Sequence, residues 1–197
     1  MKKAVLLLIL IALFSFNGNS QSSLTKDQYR NIDSWMISVG VNAVGSLGTR
    51  NPVERLDEFE FSQPLALAVE HQWSRFLSIE QDFTLNKFKI TSRIDNGKLP
   101  EEFTYFSTNT YLKYYYSNEI FKNTNLNWLD LYVGGGLGVF SIDEINTSAN
   151  LLLGGTIWIS DNIGIRLQGV GKFAFNHKDN RFDNNHFQYM LQGIFKL

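Results

Sequence analysis

The chain has 197 residues, of which 44% are hydrophobic, 19% charged and 14% aromatic, a size suited to one domain or two small ones. It contains no cysteine, which excludes a disulfide scaffold, a thiolate metal site and a cysteine nucleophile. With 18 Lys and Arg against 19 Asp and Glu the formal charge is −1, so there is no basic field to hold nucleic acid.

Residues 1–20 read as a secretory signal peptide. Lys2 and Lys3 form the positive start, Ala4 to Phe16 is apolar apart from Ser15, and Gly18-Asn19-Ser20 supplies small residues for cleavage after Ser20. This run is shorter than the roughly 18 apolar residues of a helical membrane span, and no lipobox cysteine follows it. No second long apolar run follows, so membrane entry by the mature chain would have to use strands. Residues 21–33 are polar and aperiodic, a lead-in to a single domain over residues 34–197.

From Trp35 the hydrophobic period becomes two. Trp35, Ile37, Val39, Val41, Ala43 and Leu47 share one face of a first strand, and Ser38, Gly40, Asn42 and Ser46 share the other. A hairpin follows. Leu65, Leu67, Val69, His71 and Trp73 oppose Ala66, Ala68, Glu70 and Gln72; beyond Ser74-Arg75, Leu77, Ile79, Phe83 and Leu85 oppose Ser78, Glu80, Asp82, Thr84 and Asn86. Further strands are predicted from about Phe103 to Tyr116, Leu129 to Phe140, Ser148 to Ile159, Ile163 to Phe175 and His186 to the end, with Ser160-Asp161-Asn162 as a tight turn. The links after the first, third and seventh strands are long and polar, and those after the second and sixth are short. That asymmetry fits a barrel with short periplasmic turns and long extracellular loops. Two links depart from it, since 117–128 is long for a turn and 141–147 is short for an outer loop.

The expected fold is all-β, an eight-stranded antiparallel up-and-down transmembrane barrel. Alternation alone leaves two orientations open: a secreted lipocalin-like barrel with its apolar face around a ligand, or a membrane barrel with that face toward lipid. The charges Glu70, Glu80, Asp82, Lys113, Arg166 and Lys172 in mid-strand suit both. The apolar face, however, ends in aromatics at Trp35, Trp73, Phe106, Tyr114, Tyr116, Phe173, Phe175 and Phe187, where interfacial girdles belong. The last strand carries Phe187, Tyr189, Leu191, Phe195 and Leu197 on one face, and no Gly-x-Trp lies near the first strand.

On these features the chain resembles the small outer-membrane β-barrels of Gram-negative bacteria, the OmpA transmembrane domain and OmpX-like group. The resemblance implies export to the outer membrane and contact with outer-membrane lipid and lipopolysaccharide. It also implies a final strand read by the barrel-assembly machinery through Tyr189, Phe195 and Leu197, the aromatic standing two places before the end. It implies a structural or binding role through extracellular loops, with the extracellular partner unnamed and no cofactor or metal.

Eight staves leave a lumen that side chains fill, which predicts a plugged barrel. Counting along strands of alternating direction puts Glu70, Glu80, Lys113 and Arg166 at similar depth, as a paired lumen network resembling the internal salt bridges of OmpA-type barrels or as independent hydrated charges. Gly134, Gly136 and Gly138 face the same lumen and would make room for Tyr132 and Phe140; as a nucleotide loop their spacing is wrong.

Chemistry is weakly represented, and no catalytic residue is assigned. Of the three histidines, His71 lies beside Trp73 as an interfacial imidazole, while His177 and His186 flank one loop. A lipid A-modifying enzyme built on His177 is the alternative function. The deacylase pattern needs a serine two places later, where this chain has Asp179. Asp179, Asn180, Asp183, Asn184 and Asn185 lack the spacing of a calcium loop. Arg50, Glu54, Arg55, Asp57, Glu58 and Glu60 form a charged first loop that lipopolysaccharide-bridging cations or a partner would meet, or a solvated surface.

Overall fold

Strands that are apolar on one face and polar on the other must hide one of the two faces, and a closed barrel hides it while leaving no strand edge unpaired. In a computed structural model of the chain, the described residues are Lys26, 33–46, 59–90, 92–94, 97–175 and 185–197. The elements are β1 (Ser34–Ser46), β2 (Leu65–Gln72), β3 (Leu77–Phe88), β4 (Arg93–Ile94), β5 (Gly97–Lys98), β6 (Phe103–Tyr114), α1 (Ser117–Ile120), β7 (Leu129–Ser141), β8 (Ile145–Trp158), β9 (Ile163–Ala174) and β10 (His186–Lys196). Eight of the strands close in the order β1-β10-β9-β8-β7-β6-β3-β2, and β4 and β5 form a separate two-stranded hairpin in the loop between β3 and β6. Every neighbouring pair is antiparallel, and closure is made by β1 against β10 from Met36↔Lys196 to Ser46↔His186.

The hidden face is the polar one. On β3, Ser78, Glu80, Asp82, Thr84 and Asn86 are buried while Ile79 and Phe83 are exposed. Lys113, Arg166 and Lys172 are each 0% exposed, whereas Leu137, Leu151, Leu153 and Leu167 all stand out from the wall. Burying charge is costly and exposing leucine to water gains nothing, so this polarity is stable only where the outside is itself apolar. A lipocalin-like barrel requires the opposite orientation.

Several element ends differ from the sequence reading, each for a local reason. The fourth stave stops at Tyr114 instead of Tyr116. The Tyr115 amide donates to the Phe76 carbonyl at 2.8 Å, and Tyr116, at φ −68° and ψ −23°, starts the single turn of α1. The long 117–128 link is therefore partly helical, and Ser117 Oγ accepts the Leu131 amide at 3.0 Å. β8 starts at Ile145 because the Ser141↔Ile145 pair leaves only residues 142–144 in the connection. On the outer wall, Tyr189 and Phe187 of β10 lie over Gly169 and Gly171 of β9, where an added Cβ would be 3.4 and 3.2 Å from their rings. The aromatic rings thus cover backbone that glycine leaves bare.

The signal segment 1–20 and the lead-in other than Lys26 and Asp33 lie outside the described residues. So do His177, Asp179, Asn180, Asp183 and Asn184, and Arg50, Glu54, Arg55, Asp57 and Glu58.

Candidate functional site

Glu70 and Glu80 are direct cross-strand partners on β2 and β3, which brings two like charges together on the lumen face. Two cations answer them. Lys113, from the adjoining stave β6, places Nζ 3.1 Å from Glu70 Oε2 and also against Glu80 Oε2. Arg166 comes from β9, diametrically opposite β3 in the barrel, with Nη2 2.5 Å from Glu70 Oε2 and Nη1 2.5 Å from Glu80 Oε2. The four formal charges cancel.

The remaining capacity of these groups is largely taken up. Ser78 Oγ donates to Glu70 Oε1 at 2.5 Å, and Tyr115 OH donates to the same oxygen. Arg166 Nη1 donates to Ser38 Oγ at 3.2 Å, and Gln168 Nε2 to Glu80 Oε1 at 3.4 Å. Tyr132 OH donates to Gln168 Oε1 at 2.8 Å, and the Tyr132 ring lies 4.5 Å from Lys113 Nζ and 5.7 Å from Arg166 Cζ. Its hydroxyl occupies the space over Gly154, where a Cβ would be only 2.5 Å away. Room for Tyr132 thus comes from β8, whereas the sequence reading credited the β7 glycines. Gly136 of β7 does something else: its Cβ would lie 1.9 Å from the Thr110 carbonyl oxygen, so glycine lets two strands approach.

A second polar layer lies toward the loop end. Asn109 Nδ2 donates to Asp82 Oδ1 at 2.6 Å, and Asn150 Nδ2 donates to Asn109 Oδ1 at 2.9 Å. Lys172 Nζ donates to Ser107 Oγ at 2.6 Å and to Tyr105 OH at 3.0 Å, while Tyr105 OH and His186 Nε2 are 2.8 Å apart. Asp82 and Lys172 are visible in the sequence as mid-strand charges, but nothing there groups them with Tyr105 and His186.

Both mouths are occupied by side chains. At the loop end Val44, Phe88, Leu99, Tyr105, Phe140, Ile142 and Ala174 form a buried cluster, to which the loops contribute Leu99 and Ile142. Asn86 Nδ2 ties this rim together by donating to the Asn42 carbonyl at 3.1 Å and the Glu60 carbonyl at 2.9 Å. At the turn end Asp130 pairs with Lys26 Nζ at 2.8 Å and accepts Trp158 Nε1 at 2.7 Å, beside a cavity of about 50 Å³. In the sequence Lys26 is one residue of the polar lead-in, and a lone lysine in such a segment carries no signal of its burial.

Of the aromatic rim, Trp35 is 52% exposed and stacks on His71 with ring centroids 4.5 Å apart, and Trp73 and Tyr114 are also exposed at the turn end. Phe175 is exposed at the loop end, and Phe187 is half-buried opposite Gly171 of β9. Tyr116 stands apart from these, at the N-cap of α1 and not on a strand. On β10, Tyr189 is half-buried against Phe59 while Phe195 faces outward, paired with Ile37 and Ile163. Leu197 follows the strand, and its amide donates to the Trp35 carbonyl at 2.9 Å. Among the described residues no three His, Asp or Glu side chains are placed to hold a metal ion.

No protein-family model matches the chain, and no curated protein matches it. Solved structures do. Neisserial surface protein A superposes with a TM-score of 0.51 at 13% identity, over 82% of this chain and 94% of that one. The outer-membrane protein Ail of Yersinia pestis, solved in a phospholipid nanodisc, gives 0.49 at 16% identity over 83% and 99%. The N-terminal β-barrel domain of Pseudomonas aeruginosa OprF gives 0.48 at 10% identity over 82% and 97%. The fold of this chain is that of the small eight-stranded outer-membrane β-barrels.

Proposed function

We propose that the chain resides in the outer membrane of a Gram-negative bacterium as a barrel whose lumen is closed by its own side chains. Its role is structural or one of binding through the extracellular loops. The observation that carries this reading is the inverted polarity of the wall, with Glu70, Glu80, Lys113 and Arg166 fully buried and a leucine- and isoleucine-rich surface outside. Strand length agrees: β1, β3, β6, β7, β8, β9 and β10 run from 11 to 14 residues, and a tilted strand needs about 9–11 to cross a bilayer. The aromatic rims at Trp35, Trp73, Tyr114, Phe175 and Phe187 supply interfacial anchors, and lipid with lipopolysaccharide is the surrounding partner. Export by the leader over 1–20 and recognition of Tyr189, Phe195 and Leu197 by the barrel-assembly machinery complete the proposal.

Two charge layers and an apolar cap at the loop end favour a closed barrel over a pore. Within the lower layer the pairing of two acids with two bases supports a structural role for those four residues, since each charge has an opposite one within contact distance. Fractionation of the producing cell, followed by gel migration of detergent-extracted protein with and without heating, tests the reading. Outer-membrane recovery with a heat-dependent shift is expected; a soluble periplasmic or secreted protein overturns it.

A further inference from the structure

Outward-facing residues in the middle of the described strands are aliphatic, aromatic or glycine at every stave but two. The exception is one patch. Gln81 is the central one of the outward β3 positions Leu77, Ile79, Gln81, Phe83 and Leu85, and it pairs across the ladder with Thr110 of β6, next to Thr108. The same depth on the other staves carries residues such as Val69 of β2 and Leu137 of β7, the direct cross-strand neighbours of Gln81 and Thr110. A carboxamide and two hydroxyls therefore sit where a bilayer is driest.

Within one copy the three side chains bond to each other: Gln81 Nε2 donates to Thr108 Oγ1 at 2.7 Å, and Thr110 Oγ1 donates to Gln81 Oε1 at 2.5 Å. The second amide hydrogen makes the longest of these bonds, 3.3 Å to the Asp82 carbonyl, which also accepts Thr108 Oγ1 at 2.9 Å, and Thr110 Oγ1 keeps its lone pairs. The patch thus holds one donor only weakly and keeps an acceptor open. Directly turn-ward of it, the missing side chain of Gly135 opens a groove of about 460 Å³ between Leu112, Tyr114, Val133 and Leu151.

We propose that the wall formed by β3, β6 and β7 is an interface between two copies of this chain in the membrane, centred on Gln81, Thr108 and Thr110. The inference rests on the membrane placement above. Two copies inserted in the same direction are related by an axis along the membrane normal, so each residue meets its counterpart at its own depth. A patch with a weakly held donor and an open acceptor at the mid-plane is complementary to itself in that arrangement: Gln81 Nε2 of one copy exchanges its 3.3 Å bond for one to Thr110 Oγ1 of the other, and reciprocally. Lipid tails offer neither group.

The natural absence of cysteine makes the test direct. Leu112→Cys, beside the patch, and Leu191→Cys, on the opposite wall, are each reconstituted in phospholipid vesicles, floated, and oxidised with copper–phenanthroline. Failure to float overturns the membrane placement itself. Floating protein is expected to cross-link as a dimer through Leu112→Cys well above Leu191→Cys. Adding Gln81→Leu to Leu112→Cys is expected to lower that fraction roughly threefold, with the heat-dependent gel shift retained. Equal cross-linking at the two cysteines, or a dimer fraction untouched by Gln81→Leu, overturns the interface and leaves lipid as the cover of this wall.

Discussion

Arg166 of β9 reaches across the lumen to Glu80 of β3, 2.5 Å from Nη1 to Oε2, although the two staves lie on opposite sides of the barrel. The same guanidinium holds Glu70, so one side chain ties three staves together from inside. Replacing Arg166 by Met leaves Lys113 as the sole cation for two buried carboxylates. Loss of about 3–5 kcal/mol is expected, read from urea unfolding in detergent micelles. The Arg166→Met/Glu80→Gln double variant is expected to lose less than the sum of the two single variants. Additive losses would instead describe independent, hydrated charges.

Two glycines adjacent in sequence should respond oppositely to alanine. At Gly136 a Cβ meets the Thr110 carbonyl oxygen at 1.9 Å, so β6 and β7 must part, at an expected cost of about 1–3 kcal/mol. At Gly135 the nearest atom is 3.6 Å away, and Gly135→Ala is expected to be neutral or to stabilise by up to about 1 kcal/mol. Urea midpoints of the two variants decide it.

Asp130 stands at the start of β7, opposite β1, and its pair with Lys26 fastens the chain ahead of β1 to the far wall of the turn-side mouth. Lys26→Met leaves the carboxylate with the Trp158 indole as its neutral donor, and destabilisation of about 3 kcal/mol is expected. Lys26→Met with Asp130→Asn recovers part of the loss. A change in Trp158 fluorescence accompanies the single variant if the indole shifts with its acceptor.

A strain lacking the chain is expected to make lipid A of unchanged mass. Gain or loss of an acyl chain, seen by mass spectrometry, would favour the lipid-modifying alternative built on His177.

The closed lumen predicts little ion conductance in a planar bilayer. Leu99→Ala with Phe140→Ala opens the apolar cap at the loop end, yet the two charge layers beneath it remain, so conductance is expected to stay low. A stable open channel in the unaltered chain would contradict a side-chain-filled interior.

Much of the wall was legible in the residues. Period-two alternation assigns Ile79 and Phe83 to one face and Glu80 and Asp82 to the other, because a pleated strand alternates whatever surrounds it. The similar depth of Glu70, Glu80, Lys113 and Arg166 followed from counting residues from the turns. Tyr115 falls inside the predicted fourth strand without being singled out, and its hydroxyl meets Glu70 at the point where the chain leaves β6 for α1. The cluster of Lys172, Tyr105 and His186 joins staves that are not neighbours, so no local pattern announces it.

By itself the sequence determined that strands would form, where they turn, and which side chains share a face, since each of these depends on residues a few places apart. Alternation left open whether the apolar face looked in or out; the aromatics at the strand ends pointed it outward, and the sequence did not show which cation met which acid or what filled the mouths. Those were decided by closure of β1 on β10 and by the stagger of the ladders. Closure hides one face of every stave at once, here the polar one, and stagger sets the height at which distant staves present their charges.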